Sequence, residues 1–590
     1  MLAKIKIICA LGVLNICHII LYRVKLKLKF YTKILPIRPI ELNHFYKKTK
    51  PILQFNVEGK INYFQCFSKH IIKLNKTLDW FTNPYTGYTF SSEKHWSIIK
   101  DFESREDIKT IWELSRFPFL IPLAATGKID KINELLKDWC HNNPWNQGPN
   151  WKCGQEASLR IMTLLMTAKL LGQLDSLSKD FQELISLHVK RIIPTMEYAI
   201  AQDNNHGTSE AAAVYCAGLA LKKYNPQSKK WIKTGKRALE KRIKRLIQND
   251  GTFSQYSQNY HRLMLDTISF AELMRNEFKD TEFSTNFYEK ATLASEWLYE
   301  MVNEGGEVPN GGANDGALLF PWPGYDYRDF RSSVKIAYGL FKKLNCYGKY
   351  ADELLDLYNL TKKNEALPSG ECRLFDKGGY VILRKNNTTA FIKFPNYKFR
   401  PSHADALHLD LWRGSKYLLK DSGTYSYNPS EKEFKNYFSA TQAHNTIEFD
   451  NRSQMPKIGC FLWGSWLKTK DYHFSAKDSL FSSSYTDYCG CYHHRQVKID
   501  ESSVKVEDTI AGFSEVAIMR WHLHPGKWKI SGTKVISEFM TLKFEIDDNF
   551  ENITLVDGYE SCYYLYKTNL PVIELILKGP CKIKTYITIL

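Results

Sequence analysis

An α+β multidomain chain, helical first and all-β second, is what the sequence predicts, and three observations predict it. Apolar residues recur every three or four positions from about residue 40 to 355. A polar stretch, "LTKKNEALPSGECRLFDKGG" (360–379), interrupts that period, and short runs of period two divided by turn residues follow it. The regions are placed at 1–365 and 366–590, with ample length for separate cores.

Taken in order, the first segment is "MLAKIKIICALGVLNICHIILYRVKLKLKF". Its apolar stretch is broken by Lys6, Asn15 and His18, and a basic tail follows where a small-residue cleavage site would stand. A buried first helix is expected, with a membrane anchor as the alternative, so membrane association is possible. Segments such as "IMTLLMTAKLLGQL" (161–174) and "FYEKATLASEWLYEMV" (287–302) then predict serial helical hairpins packed in a bundle or toroid. After residue 370, "GYVILRK", "TAFIKF" and "RQVKIDESSVKVEDTI" read as strands, with hairpins around "RGS" and "DESS", and predict an antiparallel β-sandwich.

Composition narrows the partner. The chain has 590 residues with 81 Lys+Arg against 63 Asp+Glu, a net +18 that favours an anionic partner. Its densest basic run, "KKWIKTGKRALEKRIKRL" (229–246), carries apolar residues at helical spacing and reads as the solvated face of an amphipathic helix. With no nucleic-acid-binding signature beside it, nucleic acid is not expected as a partner. The 13 cysteines show no disulfide framework or zinc-ribbon spacing.

The densest chemistry lies at 203–210, "DNNHGTSE", just before a run of small apolar residues. Amides bind a carboxylate without adding a titrating charge, and an imidazole beside them can polarise it or accept a proton. If a helix starts near Gly207, Glu210 lies one turn from His206 and could orient its ring. The plainer reading is that Asn205 or Thr208 caps the helix, which accounts for one polar residue but not for Asn204, Asn205 and His206 together.

Several stretches in one order, "GPNWKCGQEASLR" (148–160), "NNHGTSE" (204–210), "QNYHR" (258–262), "PNGGANDGALL" (309–319), "HADALHLDLWRGSKYLLKDSGTYSYN" (403–428) and "AHNTIEFDNRSQM" (443–455), resemble the heparinase II/III-like proteins, a group of polysaccharide lyases that includes alginate-acting relatives. The resemblance implies an N-terminal (α/α) toroid or incomplete barrel followed by a β-sandwich. It also implies β-elimination on an acidic, uronate-containing polysaccharide or oligosaccharide, and favours the periplasm or cell envelope over the cytoplasm. Tyr260 matches the family's catalytic tyrosine, and Arg262 with His261 would lower its pKa. Asn204, Asn205 and His206 would hold the carboxyl group or take the proton.

Trp151 offers a sugar-stacking face, while Glu210, Asn314 and Asp315 are expected along the substrate groove. Glu156 and Arg160, four apart, read as an ion pair. His403, Asp421 and His444 match positions where family members bind zinc, a structural zinc being expected, with Asn445 fixing the last ring. One departure matters: Pro401 stands where the lyases carry a histidine two residues before the first metal ligand, and proline cannot move a proton. His408, five residues from His403, is expected on the opposite face. Tyr437 is the expected second groove tyrosine. The rivals are a lyase-like binding or assembly factor in surface-polysaccharide production, and an (α/α) glycoside hydrolase using Glu210 and Asp315.

Overall fold

A computed structural model describes residues 2–53, 63–74, 77–100, 106–360, 370–547 and 549–590. Helices follow one another from Lys109–Ser115 to Asp352–Leu357, and the strands of the second half begin at Arg373–Phe375. Part of the interruption expected at 360–379 is therefore strand, and 361–369 lie outside the described residues.

The helix Asn205–Ala220 is the hub of the helical half, touching Gly154–Leu170, Ser228–Leu246 and Gln258–Glu277. Every residue of it except His206 is buried, which is why its sequence shows small residues all round rather than one apolar stripe. The neighbouring basic run behaves as read: Trp231, Leu239, Ile243 and Leu246 are buried in Ser228–Leu246 while Lys229, Lys233, Lys241 and Lys244 face outward. Each such side chain contributes about 1.5–3 kcal/mol on burial. Gly235 sets the closeness of the pair, since a Cβ there would lie 2.4 Å from the Tyr215 nitrogen.

The first segment departs from the expectation of a buried helix. Leu2–Leu11 and Val13–Lys27 are helical, broken at Gly12, but no residue of Val13–Lys27 is buried. Among the described residues no helix is long and apolar enough to cross a membrane.

In the second half, the strands Arg373–Phe375, Tyr380–Lys385, Thr388–Lys393, His408–Arg413 and Lys416–Leu419 form a five-stranded antiparallel meander. It is buried on both faces over much of its length. On one side it meets strands Leu480–Thr486 and Tyr492–Ile499 of an eight-stranded sheet. On the other, Trp297 of the helical half packs edge-on against Phe375 and Tyr380. Ser503–Ala511, in the eight-stranded sheet, alternates strictly between buried and half-buried positions, matching its period of two. A four-stranded sheet, ordered Phe550–Tyr563, Tyr566–Leu577, Ala517–His522 and Ile447–Phe449, completes the region. Both expected hairpins form, Arg413 pairing with Lys416 and Ile499 with Val504.

Candidate functional site

Where the halves meet, a groove of about 680 Å³ opens. Helical residues 204–206 and Tyr260 line one wall, and loop residues 400–403 with Thr424, Ser426 and Tyr427 of the sheet half line the other. Hydrogen bonds cross beneath it: Tyr256 Oη accepts from the Lys398 and Phe399 amides, and Tyr564 donates to Asp107.

The Asn-Asn-His stretch is aimed by the residue before it. Asp203 adopts a left-handed conformation (φ 49°), held because Arg242, Arg245 and Asn15 all bind its carboxylate. That turn sets Asn204 as the helix cap, its Oδ1 accepting from the His206 amide at 3.0 Å. Capping is thus the work of Asn204 rather than Asn205 or Thr208, and it uses only the oxygen. The Nδ2 of Asn204 and the side chain of Asn205 have no protein hydrogen bond among the described residues and line the groove, while the Asn205 backbone donates to Gln255.

His206 places Nδ1 3.9 Å from the Cys153 sulfur. Burial lowers its pKa to about 4, so the ring is neutral near pH 7 although Glu210 pulls the other way. No hydrogen bond links it to Glu210 among the described residues, so Glu210 does not orient the ring. Glu210 fits against Gly154, its Oε2 is buried without a hydrogen-bond partner among the described residues, and burial raises its pKa to about 8.

Tyr260 lines the groove with its hydroxyl 2.7 Å from that of Tyr427, a residue the sequence reading passed over. Burial first, then Asp315, keeps both phenols well above their usual pKa. The expected acidifying neighbours point away. Arg262 donates to the Tyr327 carbonyl and to Asn259, and His261 binds the Ala294 carbonyl and stacks on Trp297. On a helix, residues one and two positions on face elsewhere. Two cations stand by the tyrosine pair: Lys109, its Nζ 5.4 Å from the centre of the Tyr427 ring, and Arg400, which lines the groove and whose charge both phenols influence.

Several expected groove residues lie elsewhere. Tyr437 starts a short 3-10 turn and accepts from the Tyr559 amide with its ring against Phe438 and Tyr559, outside the lining. Trp151 is fully buried, its Nε1 donating to the Asn143 carbonyl and its ring covered by the Arg160 guanidinium, so it stacks no sugar. Asn314 closes a turn onto the Gly316 amide and accepts from Tyr327. Asp315 is locked to Lys109 at 2.6 Å; despite burial, Lys109 and Arg116 lower its pKa to about 2. Glu156 pairs with Arg116 rather than with Arg160. The missed residues had a legible signal only in part: Tyr427 falls in "GTYSYN", shortly after Asp421, and Arg400 directly precedes Pro401.

One ligand atom from each of His403, Asp421 and His444 can be chosen so that all three lie within 4.8 Å of one another, and all three residues are buried. His444 Nδ1 sits 3.0 Å from Asp421, while His444 Nε2 and His403 Nδ1 are buried without a partner among the described residues. Orphaned ring nitrogens beside a carboxylate fit a metal ion. Asn445 fixes the surrounding backbone rather than the His444 ring, donating to the Leu409 and Lys420 carbonyls and accepting from His522. His408 also faces this cluster, with Nε2 3.4 Å from Asp421 and Nδ1 accepting from the Asn445 amide. The strand begins only at His408, so the alternation that would set it opposite His403 does not apply.

The chain sets helices first and sheets second with a basic groove at their junction, a two-part class of architecture that comparison with known proteins places. Residues 39–316 match the heparinase II/III N-terminus and residues 368–549 the heparinase II/III-like C-terminal domain. The chain belongs to the heparinase II/III-like family. It is similar to a heparin-sulfate lyase of Bacteroides thetaiotaomicron, 20% identical over 394 residues, which is 59% of this chain and about half (53%) of that relative. Its fold is similar to that of a solved heparinase III (TM-score 0.65, 15% identity, covering 92% of this chain and 88% of that one). It is likewise similar to a heparan sulfate lyase of Pedobacter heparinus, in mutant form (TM-score 0.57, 16% identity, covering 99% and 90%).

Proposed function

We propose that this protein is a polysaccharide lyase that cleaves an anionic, uronate-containing glycan by β-elimination in the groove between an N-terminal (α/α) toroid and a C-terminal β-sandwich. The observation that carries the reading is that the Nδ2 groups of Asn204 and Asn205, which make no hydrogen bond among the described residues, share one basic groove with a neutral imidazole and a phenol pair. Among the described residues, Lys100, Lys109, Lys152, Arg191, Arg400, Lys435 and Lys457 line it against Asp107 and Glu210, which suits a polyanion. The family and the names of its relatives point to glycosaminoglycans of the heparan type as the first substrates to try.

In this mechanism Asn204 Nδ2 and Asn205 hold the C5 carboxylate and stabilise the charge that grows on it. His206, neutral near pH 7, takes the C5 proton. The C4–O4 bond breaks as the C4–C5 double bond forms, and Tyr260 gives its proton to the departing O4. Tyr427 then hydrogen-bonds the phenolate of Tyr260, and Arg400 stabilises its charge. Zinc held by His403, Asp421 and His444 would be structural, tying three segments of the sheet half together beside His403 at the groove wall.

The test is incubation with heparan sulfate, heparin, chondroitin sulfate and alginate while following the ultraviolet absorbance of a 4,5-unsaturated uronate. Appearance of the chromophore supports the lyase; reducing ends without it would mean hydrolysis. A second reading is favoured by one observation, Pro401 in the groove where a family histidine would stand. Glycan retardation with no product from any substrate would assign a binding or assembly role instead.

A further inference from the structure

The helix Val13–Lys27 wears its apolar residues on the outside. Val13, Leu14, Ile20, Leu21, Val24 and the capping Leu28 are all exposed, Leu14 to 77% and Leu28 to 68%. At 3.6 residues per turn they fall on one stripe covering about a third of the circumference, the inverse of a helix packed on a soluble core. The opposite face docks on the protein: Tyr22 stacks on Tyr198 at 3.9 Å, and Asn15 donates to Asp203. Tyr22 and Leu26 also line the groove. The outward stripe is therefore not a core face left open by loose packing, because the inward face is already occupied.

Charge says what covers it. The same spacing sets Lys25 and Lys27 on the two edges of the stripe, and Arg23, Lys29 and Lys33 lie close by. Residues 1–40 contain eight Lys and Arg and no Asp or Glu. Exposed Phe30, Ile34 and Ile37 extend the apolar surface past the helix end. An apolar stripe edged by lysines is the build of a helix lying in a membrane interface, its alkyl side chains among acyl chains and its cations at anionic headgroups.

We propose that Val13–Lys27 seats the protein on an anionic lipid surface, with the helix lying in the interface rather than spanning it. Spanning would tear Tyr22 from Tyr198 and Asn15 from Asp203. The groove would then open beside the membrane, its wall and its anchor being two faces of one helix.

Flotation of the full chain with phosphatidylcholine vesicles, with and without phosphatidylglycerol, tests this. Binding is expected to be about tenfold or more stronger with phosphatidylglycerol, to weaken in high salt, and to be lost with Leu14→Glu/Leu21→Glu. Both residues are exposed, so the variant should keep its far-ultraviolet circular dichroism. If it does not, Lys27→Glu/Lys29→Glu serves instead and should abolish the preference for phosphatidylglycerol while leaving residual binding. Equal binding by wild type and both variants would overturn the proposal. So would retention after alkaline carbonate, which means a spanning segment, or a dimer that Leu14→Glu/Leu21→Glu dissociates in a protein that ignores vesicles.

Discussion

The hydroxyls of Tyr260 and Tyr427 stand 2.7 Å apart, one on the helix Gln258–Glu277 and the other on the loop after strand Lys416–Leu419. The pair joins the two halves of the chain at the groove. Tyr427 is itself fixed, its amide donating to Tyr564 Oη while Tyr564 donates to Asp107. Only one hydroxyl can donate into the bond between them, so the other keeps its proton to give. Both phenols carry their protons at neutral pH, and burial, then Asp315, disfavours their ionisation further, which suits a proton donor better than a base.

Tyr260→Phe removes that acid without changing shape. Lyase turnover should fall by about 10²–10⁴-fold with glycan affinity nearly unchanged. Tyr427→Phe leaves the acid but removes its partner, and should cost less, about tenfold, mainly in kcat. The chromophore assay with paired binding measurements checks both. A larger loss for Tyr427→Phe would exchange the two roles.

The pH dependence separates His206 from other bases. Burial brings its pKa down to about 4, so the base form is lost only as pH falls through about 4. The acidic limb of kcat/KM should lie there and not near 6.5. A limb near 6.5 that vanishes in His206→Asn would show that the free groove solvates the ring more than its burial implies.

What was legible in the sequence follows the physics of each signal. The change of period from 3.6 to two is a property of local burial, and it located helices and strands well. The cluster at 204–206 was legible because three directional groups exceed what one cap needs. Tyr437 and Trp151 were not, since an aromatic residue in a motif says nothing about which side of a wall its ring takes: Trp151 is sealed under Arg160, and Tyr427 rather than Tyr437 reaches the groove. The expectation for His408 fails because strand alternation does not extend across a strand's start, and His403 stands in the loop before the strand His408–Arg413. The exposed apolar stripe of Val13–Lys27 looks in sequence like any core helix, and only its packing reverses the sense.

The histidine cluster predicts close to one zinc per chain by elemental analysis, with His444→Ala losing it together with thermal stability. His408→Ala keeps all three ligands but leaves the Asn445 amide without its acceptor and Asp421 without a neighbour 3.4 Å away. Zinc affinity measured by chelator competition should drop about 10–100-fold. An unchanged affinity would confine the site to its three ligands.

Glu210 predicts a stability effect of the opposite sense to most buried residues. Its carboxyl is raised from 4.5 to about 8 by burial, and one oxygen has no partner among the described residues. Folding therefore favours the protonated form, so the native state loses stability relative to the unfolded chain as pH rises from about 4.5, and the loss levels off above about 8. Glu210→Gln keeps the shape against Gly154 and cannot ionise. It should melt with wild type near pH 4 and above it at pH 8, the gap growing steadily between, at ~1.4 kcal/mol for each unit by which the two pKa values differ. Thermal unfolding across that range, followed by circular dichroism, decides it. A gap that does not change with pH would mean that Glu210 has a partner in solution that holds it charged.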